Sequence, residues 1–520
     1  MSLISQTFFD HAKTSPLKQA IWCEGSEMDY GQLAILVYQW ANAMSRNGVK
    51  RGEHIGVLLP NCIEFVALIL AAADLGVVLV PLNTSLPATA VLNAFQASNV
   101  RHVVANHIAL QPLLESDLPI RNVADGLWIS LDGHVDGVRS LTDLLQDAGD
   151  DPKPLFAGQH DDALILTMTS GSTGDPKPII LTQRTKFNRA AAAVELYTIT
   201  GSDKTLAATP LYHSLAERLV LIPMLTGGTS ILMKRFSPSE WLHCVAEQQV
   251  TFTIAVSSQL GQIVEQLTDE AGQKIQSLRC VVSSSALLDT QVKQKLLEKF
   301  KCDFHECYGA SEIAIATNLD GVSAQTKLKS VGCAAPGVDV QVLLESDELA
   351  APGEVGEIVC KTPMAFGGYF QRPDLTQSAM WGEYFRTGDM GKLDEDGFLY
   401  FLGRKKEIII TGGINVYPSD IEGVIAKHPS VLECAAFAVP DERLGEVVAV
   451  ALVPRDPESF DQRKIRHYCA DLLADFQQPR KFFILDKLPR NGMGKLMKYA
   501  LVDQFGKIQD KTGSTHAPLV

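Results

Sequence analysis

The clearest signal in this 520-residue sequence is the segment Thr169-Ser170-Gly171-Ser172-Thr173-Gly174-Asp175-Pro176-Lys177. It follows the apolar run ALILTM, which predicts a buried strand, and precedes a helix predicted to start near Thr185. Glycines let a backbone approach an anion closely, hydroxyls donate to phosphate oxygens, and Lys177 adds a positive charge. Although such a string alone is more often a solvated loop, its flanking elements favour a phosphate-binding loop. It is not a Walker A loop, because no Ser or Thr follows Lys177.

The remaining sequence predicts the fold class. Short β-branched runs at 54–60, 77–82, 252–256 and 279–283 alternate with helical patterns such as Asp289–Phe300. This alternation predicts an α/β body with buried sheets and several subdomains over residues 1–402. After about Tyr400 a helix start at Pro418 is followed by two strand-like runs, a helix and a strand. We therefore expect a small α+β domain over residues 403–520, joined through a hinge near Lys405 and Lys406.

Composition excludes several classes of protein. The chain is 46% hydrophobic and 20% charged, which excludes disordered, collagen-like and coiled-coil proteins. Its ten cysteines show no CxxC and no zinc-finger spacing, so we expect reduced thiols and a cytoplasmic location. The most apolar stretch, Val66–Pro81, is interrupted by Asp74 and is too short to span a bilayer. It predicts a buried helix that runs into a strand.

The charge is unevenly distributed along the chain. The net charge is −14, but residues 403–520 carry 17 Lys+Arg against 15 Asp+Glu, which leaves −16 on the first 402 residues. An acidic body argues against nucleic acid as a partner, because such binding needs a concentrated basic surface. A polyanionic small molecule near the C-terminal part remains compatible with this distribution.

Five ordered motifs resemble those of the adenylate-forming superfamily, which includes acyl-CoA synthetases, adenylation domains of peptide synthetases and beetle luciferases. The resemblance covers essentially the whole chain and is strongest to acyl- or aryl-CoA ligases. It implies ATP- and Mg²⁺-dependent activation of a carboxylic acid to an acyl-adenylate, transfer to the thiol of coenzyme A, and a mobile C-terminal domain. After the phosphate loop, the motifs are Tyr308-Gly309-Ala310-Ser311-Glu312, Tyr384-Phe385-Arg386-Thr387-Gly388-Asp389, Gly403-Arg404-Lys405-Lys406 and Asn491-Gly492-Met493-Gly494-Lys495.

The resemblance also implies roles for individual residues. Tyr308 would stack on adenine, Gly309 would be a further cofactor-binding residue, Ser311 would contact the α-phosphate, and Glu312 would hold Mg²⁺. Asp389 would accept hydrogen bonds from the ribose hydroxyls, and Arg404 would reach the ribose or a phosphate. Lys495 would bridge the substrate carboxylate and the α-phosphate, Lys406 would act as the hinge, and Thr411-Gly412-Gly413 would line a thiol channel. The residues that would close over the β- and γ-phosphates are Thr169, Ser170, Gly171, Ser172, Thr173, Gly174 and Lys177.

The acid-binding residues are less constrained by the resemblance. His213 stands where amino-acid-activating domains place an Asp, so an α-amino acid is disfavoured as the substrate. His213 is either in contact with the acyl group or a core histidine. Glu217 and Arg218 form either a local ion pair on a helix or a recognition site for a polar group on the acid. The other residues expected to line the acyl cavity are Ser283, Ser284, Ser285 and Ala310.

Alternative functions follow from the same motifs. The chain is either a CoA ligase or a stand-alone adenylation enzyme that loads the phosphopantetheine arm of a carrier protein in trans. A non-catalytic adenylate-binding protein is disfavoured, because Lys495, Glu312 and Asp389 are all present. A luciferase-type oxygenase would require a special substrate. Two residues depart from the family pattern: Pro178 stands where Gly is usual, and Gln183 stands where His is common. We expect these changes to alter the reaction rates without abolishing activity. We expect the enzyme to be a monomer or a homodimer.

Overall fold

The computed structural model describes residues 3–116, 126–149, 153–170, 176–490 and 496–506. The helices are α1 (Ile4–Thr14), α2 (Tyr30–Arg46), α3 (Ile63–Leu75), α4 (Ala88–Ala97), α5 (His107–Leu114), α6 (Leu141–Gln146), α7 (Gln183–Leu196), α8 (Ser214–Thr226), α9 (Pro238–Gln248), α10 (Ser257–Gln266), α11 (Asp269–Lys274), α12 (Thr290–Lys299), α13 (Gly321–Thr326), α14 (Pro373–Ser378), α15 (Pro418–Ile425), α16 (Gln462–Leu472) and α17 (Lys498–Phe505).

The strands fall into four sheets. They are β1 (Gln19–Cys23), β2 (Ser26–Asp29), β3 (His54–Leu58), β4 (Val78–Pro81), β5 (Val100–Ala105), β6 (Trp128–Ser130), β7 (Arg139–Ser140), β8 (Ala163–Ser170), β9 (Pro176–Thr182), β10 (Lys204–Ala207), β11 (Thr229–Leu232), β12 (Phe252–Val256), β13 (Cys280–Ser284), β14 (Asp303–Tyr308), β15 (Thr317–Asp320), β16 (Cys333–Ala334), β17 (Asp339–Leu343), β18 (Gly356–Lys361), β19 (Met380–Trp381), β20 (Tyr384–Leu393), β21 (Leu399–Arg404), β22 (Ile409–Thr411), β23 (Ile414–Val416), β24 (Val431–Asp441), β25 (Gly445–Pro454) and β26 (Lys481–Ile484).

Two large sheets form the α/β body that the sequence predicts. The nine-stranded sheet has the order β16-β15-β14-β13-β12-β10-β11-β1-β2, and the seven-stranded sheet has the order β7-β6-β5-β3-β4-β8-β9. Their central strands are parallel, whereas β2, β9, β15 and β16 pair antiparallel at the edges. A third sheet has the order β17-β18-β20-β19, with β21 beside β20.

The predicted buried helix and strand within Val66–Pro81 are α3 and β4. Every residue of α3 except Glu64 is buried, and the helix packs against α1 and α2. The carboxylate of Asp74 accepts hydrogen bonds from the backbone N–H groups of Leu155 and Phe156, at 2.7 and 3.0 Å. These bonds explain how a charged residue is accommodated in this interior helix.

The chain divides into two compact units. The first contains Met1–Gln341, Val359–Arg386 and Asp396–Leu399, and the second contains Val342–Ile358, Thr387–Glu395 and Tyr400–Val520. In the second unit the sheet β23-β22-β25-β24, with β26 beside β25, has an apolar core on each face. One core includes residues of α15 and α16 and the other includes residues of α17. The boundary after residue 402 stays a prediction.

Two further findings concern the cysteines and the membrane. All ten cysteines are free thiols, and seven of them are buried. No helix among the described residues combines the length and apolar character needed to cross a bilayer.

Candidate functional site

The predicted phosphate loop includes the residues that connect β8 to β9. Strands β8 and β9 pair antiparallel, with Thr169 opposite Lys177 and Ser170 opposite Pro176. The helix expected near Thr185 is α7, which begins only after β9. The intervening strand was missed by the sequence analysis. The loop residues Gly171, Ser172, Thr173 and Gly174 lie outside the described residues.

The second motif forms a tight turn directly after β14. Tyr308 ends the strand, and the N–H groups of Ile313 and Ala314 donate to the carbonyl of Ala310 at 3.2 and 2.8 Å. A Cβ on Gly309 would lie 1.7 Å from the carbonyl oxygen of Ala314, so only glycine fits at this position. The turn leaves Ser311 exposed and Glu312 half-buried next to the end of the strand.

Glu312 is held through its backbone and its side chain. Its carbonyl accepts hydrogen bonds from the N–H of Phe366 at 2.7 Å and from Nη2 of Arg189 at 3.0 Å. Its Oε1 accepts a hydrogen bond from Oη of Tyr369 at 3.1 Å. Burial and the neighbouring Glu312 carboxylate raise the pKa of Tyr369, so its hydroxyl remains a donor.

The chemistry of Glu312 suits a magnesium ion. Mg²⁺ prefers hard oxygen ligands and is often bound by one or two carboxylates together with substrate phosphates. The described part of the chain holds no group of three or more His, Cys, Asp or Glu residues arranged as a metal site. A single oriented carboxylate therefore fits an ion that takes its other ligands from phosphates and water.

Arg189 is a site residue that the sequence analysis missed. Its guanidinium is buried and donates to the carbonyls of Met364 and Glu312 at 3.0 Å each and to Oγ of Ser214 at 3.3 Å. The arginine thereby ties α7 to the Glu312 turn and to the start of α8. The signal was available, because Lys186, Arg189 and Ala190 recur at helical spacing on the buried face of α7.

The predicted acyl residues Ser283, Ser284 and Ser285 lie at and after the end of β13. The Oγ atoms of Ser257 and Ser283 are 3.1 Å apart, and Ser283 is completely buried. Ser285 adopts a φ of +76°, a left-handed conformation that is uncommon for a side-chain-bearing residue. Because β13 and β14 are parallel neighbours, Ser284 and Tyr308 end their strands at the same edge of the sheet.

His213 directly precedes α8. Buried Asn61 holds the preceding loop by donating to the carbonyls of Thr209 and Met233 and accepting from the N–H of Leu211. Burial lowers the pKa of His213 to about 4, so its ring is neutral at pH 7. Its Nε2 is buried without a hydrogen-bond partner among the described residues. Contact with an acyl group and a core role both remain hypotheses for this ring.

Glu217 and Arg218 do not form the local ion pair that was one of the two expectations. Oε2 of Glu217 lies 2.5 Å from Nζ of Lys186 on α7, and both side chains are buried. Successive helical residues point in different directions, so adjacent charges on α8 meet different neighbours. Within the described residues Arg218 makes no hydrogen bond or ion pair.

Asp389 and Arg404 lie together in the second unit. Nε of Arg404 is 2.8 Å from Oδ1 of Asp389, whose side chain is only 3% exposed. The N–H of Asp389 donates to Oγ1 of Thr387 at 3.1 Å, and Thr387 in turn donates to the carbonyl of Ile358 at 2.7 Å. These bonds fix the turn that carries the carboxylate.

The other predicted residues of the second unit lie on short turns. Lys406 is exposed in a 3-10 turn over Lys405–Glu407, and Gly412 and Gly413 form the two-residue turn between β22 and β23. Their φ values of +57° and +82° are left-handed, as a type I′ hairpin requires. Lys495 lies outside the described residues. It follows Arg490, which pairs with Leu496 across an antiparallel bridge.

Comparison with known proteins shows that two family models match this chain. The model described as AMP-binding enzyme matches residues 8–370, and the model described as AMP-binding enzyme C-terminal domain matches residues 420–495. A long-chain-fatty-acid–CoA ligase of Mycobacterium tuberculosis is 31% identical over 503 residues, which cover 95% of this chain and 97% of the relative. An indoleacetate–CoA ligase of Aromatoleum aromaticum is 29% identical over 500 residues, with 95% and 96% coverage.

A solved structure is similar over the same length. It is o-succinylbenzoate CoA synthetase of Bacillus subtilis in complex with its acyl-adenylate intermediate, which matches with a TM-score of 0.83 at 26% identity. The match covers 98% of this chain and 99% of that one. The same enzyme in complex with ATP and magnesium ion matches with a TM-score of 0.81 over 94% of this chain and 98% of that one.

Proposed function

The chain belongs to the family of AMP-binding enzymes, and from that membership we propose that it is an ATP-dependent acid–thiol ligase with coenzyme A as acceptor. In the first half-reaction a carboxylate oxygen attacks the α-phosphorus of ATP. The new O–P bond gives the acyl-adenylate, and the α–β anhydride bond breaks to release pyrophosphate. In the second half-reaction the thiol loses its proton and its sulfur attacks the acyl carbon. The thioester forms and AMP leaves with the electron pair of the acyl C–O bond.

The first half-reaction brings two anions together, so it needs positive charge and aligned donors near the α-phosphate. We assign the β- and γ-phosphates to the hairpin loop with Lys177, and the α-phosphate to Ser311. Magnesium bound at Glu312 would neutralise phosphate charge. The observation that carries this assignment is the orientation of Glu312, whose carbonyl and carboxylate are both held by hydrogen bonds.

The second unit supplies the remaining groups of the proposed mechanism. Asp389 would bind the ribose hydroxyls, with Arg404 beside it. Lys495 would place its ammonium between the attacking carboxylate and the α-phosphate. Lys406 would absorb a change in backbone angles between the half-reactions, and the Gly412–Gly413 turn would line the path of the thiol. For this movement we propose a boundary between residues 402 and 403.

The acid would lie beside Gly309, with Tyr308 on adenine. His213, Ser283, Ser284, Ser285 and Ala310 would form its cavity. The relatives named above act on a fatty acid and on indoleacetate, so family membership leaves the class of acid open. We propose that the enzyme works in the cytoplasm, because all ten thiols are free.

The test is release of pyrophosphate and AMP from ATP and Mg²⁺ with short, medium, long-chain and aryl acids, each with and without coenzyme A. We expect turnover with one class of acid, stimulated by coenzyme A, and its loss in Glu312→Gln. A single equivalent of pyrophosphate per enzyme, unchanged by coenzyme A, would indicate a carrier protein as acceptor instead. The absence of release with every acid would contradict the proposed function.

A further inference from the structure

Arg218 is a buried cation for which the described part of the chain provides no neutralising partner. It is only 8% exposed, and its Nε is fully buried and makes no hydrogen bond among the described residues. Burial lowers its pKa. A guanidinium carries five N–H donors in a fixed plane, and an unpaired charge in a protein interior is strongly destabilising. A partner from outside the polypeptide would remove this cost.

The side chains around Arg218 leave an excess of positive charge. Arg189 and Arg218 both lie close enough to Lys186 to lower its pKa, and Arg218 also lowers the pKa of Arg189, in each case in addition to the larger effect of burial. Glu217 neutralises Lys186 at 2.5 Å. The hydrogen bonds of Arg189 all go to neutral oxygens. Even when Glu312, which interacts electrostatically with Arg189, is counted, one positive charge is left over. The nearby His213 ring is neutral and does not change this balance.

The position of Arg218 connects this charge to the proposed acyl cavity. Its guanidinium interacts with Cys307 and Tyr197, and the Cys307 thiol interacts with the side chain of Ser284. Ser284 is one of the residues that would line the cavity. His213, whose Nε2 is also buried and unpartnered, precedes the first turn of the same helix. The unsatisfied polar atoms thus share one region at the start of α8.

We propose that the acid substrate carries a second carboxylate and that Arg218 binds it at the inner end of the acyl cavity. This inference rests on the proposed ligase function and specifies its substrate class. A carboxylate matches both the missing negative charge and the planar fork of a guanidinium, which binds carboxylates through two parallel hydrogen bonds. Glu217 does not oppose this anion, because Lys186 neutralises it.

The first experiment compares matched acids. CoA-dependent AMP formation is measured with dicarboxylic acids from malonate to sebacate and with isophthalate, each against the monocarboxylic acid of the same skeleton. For at least one pair we expect the wild type to prefer the dicarboxylate by about 10-fold or more in kcat/KM, as a charge-assisted pair permits. Arg218→Met should reverse that preference, and Arg218→Lys should retain part of it. Preference for the monocarboxylate in every pair, or equal loss on both acids in Arg218→Met, would overturn the inference.

The second experiment separates a binding role from a structural one. Without ligand, Arg218→Met should melt at or above the wild-type temperature, because an unpaired buried charge has been removed. The matched control is Arg279→Met, which should melt lower, because Arg279 bonds to both carboxylate oxygens of Asp203 at 2.7 and 2.9 Å. The preferred dicarboxylate should raise the melting temperature of the wild type and leave that of Arg218→Met unchanged. If the melting temperature of Arg218→Met fell as much as that of Arg279→Met, the proposed site would be contradicted.

These experiments distinguish a failure of this inference from a failure of the proposed function. CoA-dependent turnover confined to monocarboxylates confirms the ligase and rejects the second carboxylate. If no acid supports AMP formation, the proposed ligase function fails. The melting experiment then still decides whether Arg218 binds a dicarboxylate, because that shift requires no catalysis.

Discussion

Nε of Arg404 lies 2.8 Å from Oδ1 of Asp389, so the two residues that we assign to the ribose are already paired in the structure. The carboxylate is nearly inaccessible, whereas the arginine side chain is 44% exposed. An exposed guanidinium is free to rearrange when a nucleotide arrives, but the buried carboxylate is fixed by its turn. If the two residues bind the ribose, we expect recognition to depend mainly on Asp389.

Replacing Asp389 with Asn should weaken nucleotide binding more than acid binding. Loss of charged hydrogen bonds costs about 1.5–3 kcal/mol each, so we expect KM for ATP to rise by about 10- to 100-fold. Steady-state kinetics in which ATP and the acid are varied separately give the KM for each substrate and so test this difference. Asp162→Asn is the control, because Asp162 also pairs with an arginine, Arg51, at 2.6 Å but lies outside the proposed site. An unchanged KM for ATP in Asp389→Asn would exclude the ribose role.

Replacing Tyr369 with Phe should raise the concentration of Mg²⁺ that the reaction requires. The variant keeps the ring, which packs against Phe366 with centroids 5.0 Å apart, and removes only the hydroxyl that donates to Glu312. Loss of a group that orients a metal ligand typically lowers metal affinity or activity by about 10- to 100-fold. The measurement is the Mg²⁺ concentration for half-maximal pyrophosphate release. Tyr400→Phe, which removes a hydroxyl bonded to Asp394 at 3.2 Å, should leave that concentration unchanged.

The sequence predicted most elements of the fold, because apolar periodicity is a property of local sequence. The helix expected over Asp289–Phe300 is α12, which has these two residues as its caps, although the buried Lys293 was not anticipated. Lys293 is buried because its Nζ lies 2.5 Å from Oε2 of Glu306, a contact between residues on different elements. Such pairs leave no local periodic signal.

Strand β9 was missed for a related reason. It contains Pro176 and Pro178, and proline is normally evidence against a strand because it removes a backbone donor. The strand is nevertheless tolerated, since β9 is the last strand of the seven-stranded sheet. Position at an edge depends on the whole sheet and cannot be read from the segment itself. Likewise, the Lys186–Glu217 pair joins α7 to α8, so of the two sequence-based expectations for Glu217 the ion pair with Arg218 was wrong.

The buried ring of His213 should make stability depend on pH. Its folded pKa of about 4 is below the ordinary value of 6.5, so between these values the unfolded chain binds more protons. Stability therefore falls as the pH falls from 6.5 through 4, by up to about 3 kcal/mol from this group. Urea unfolding at pH 7, 5.5 and 4.5 should show that the free energy of unfolding falls less with decreasing pH in His213→Gln than in the wild type. The exposed His134 provides the control, and equal pH dependence in His134→Gln and His213→Gln would contradict the assignment.

Replacing Lys495 with Ala should separate the two half-reactions. If its ammonium stabilises the charge that develops at the α-phosphate, adenylation should fall by about 100- to 1,000-fold, the usual effect of removing one such donor. Transfer of the acyl group from preformed acyl-adenylate to coenzyme A should stay close to the wild-type rate. The control is Lys498→Ala, because Lys498 lies in the same unit but pairs with Glu422 at 2.8 Å. That variant should lose stability and keep the ratio of the two half-reaction rates, whereas equal loss of both half-reactions in Lys495→Ala would refute the assigned role.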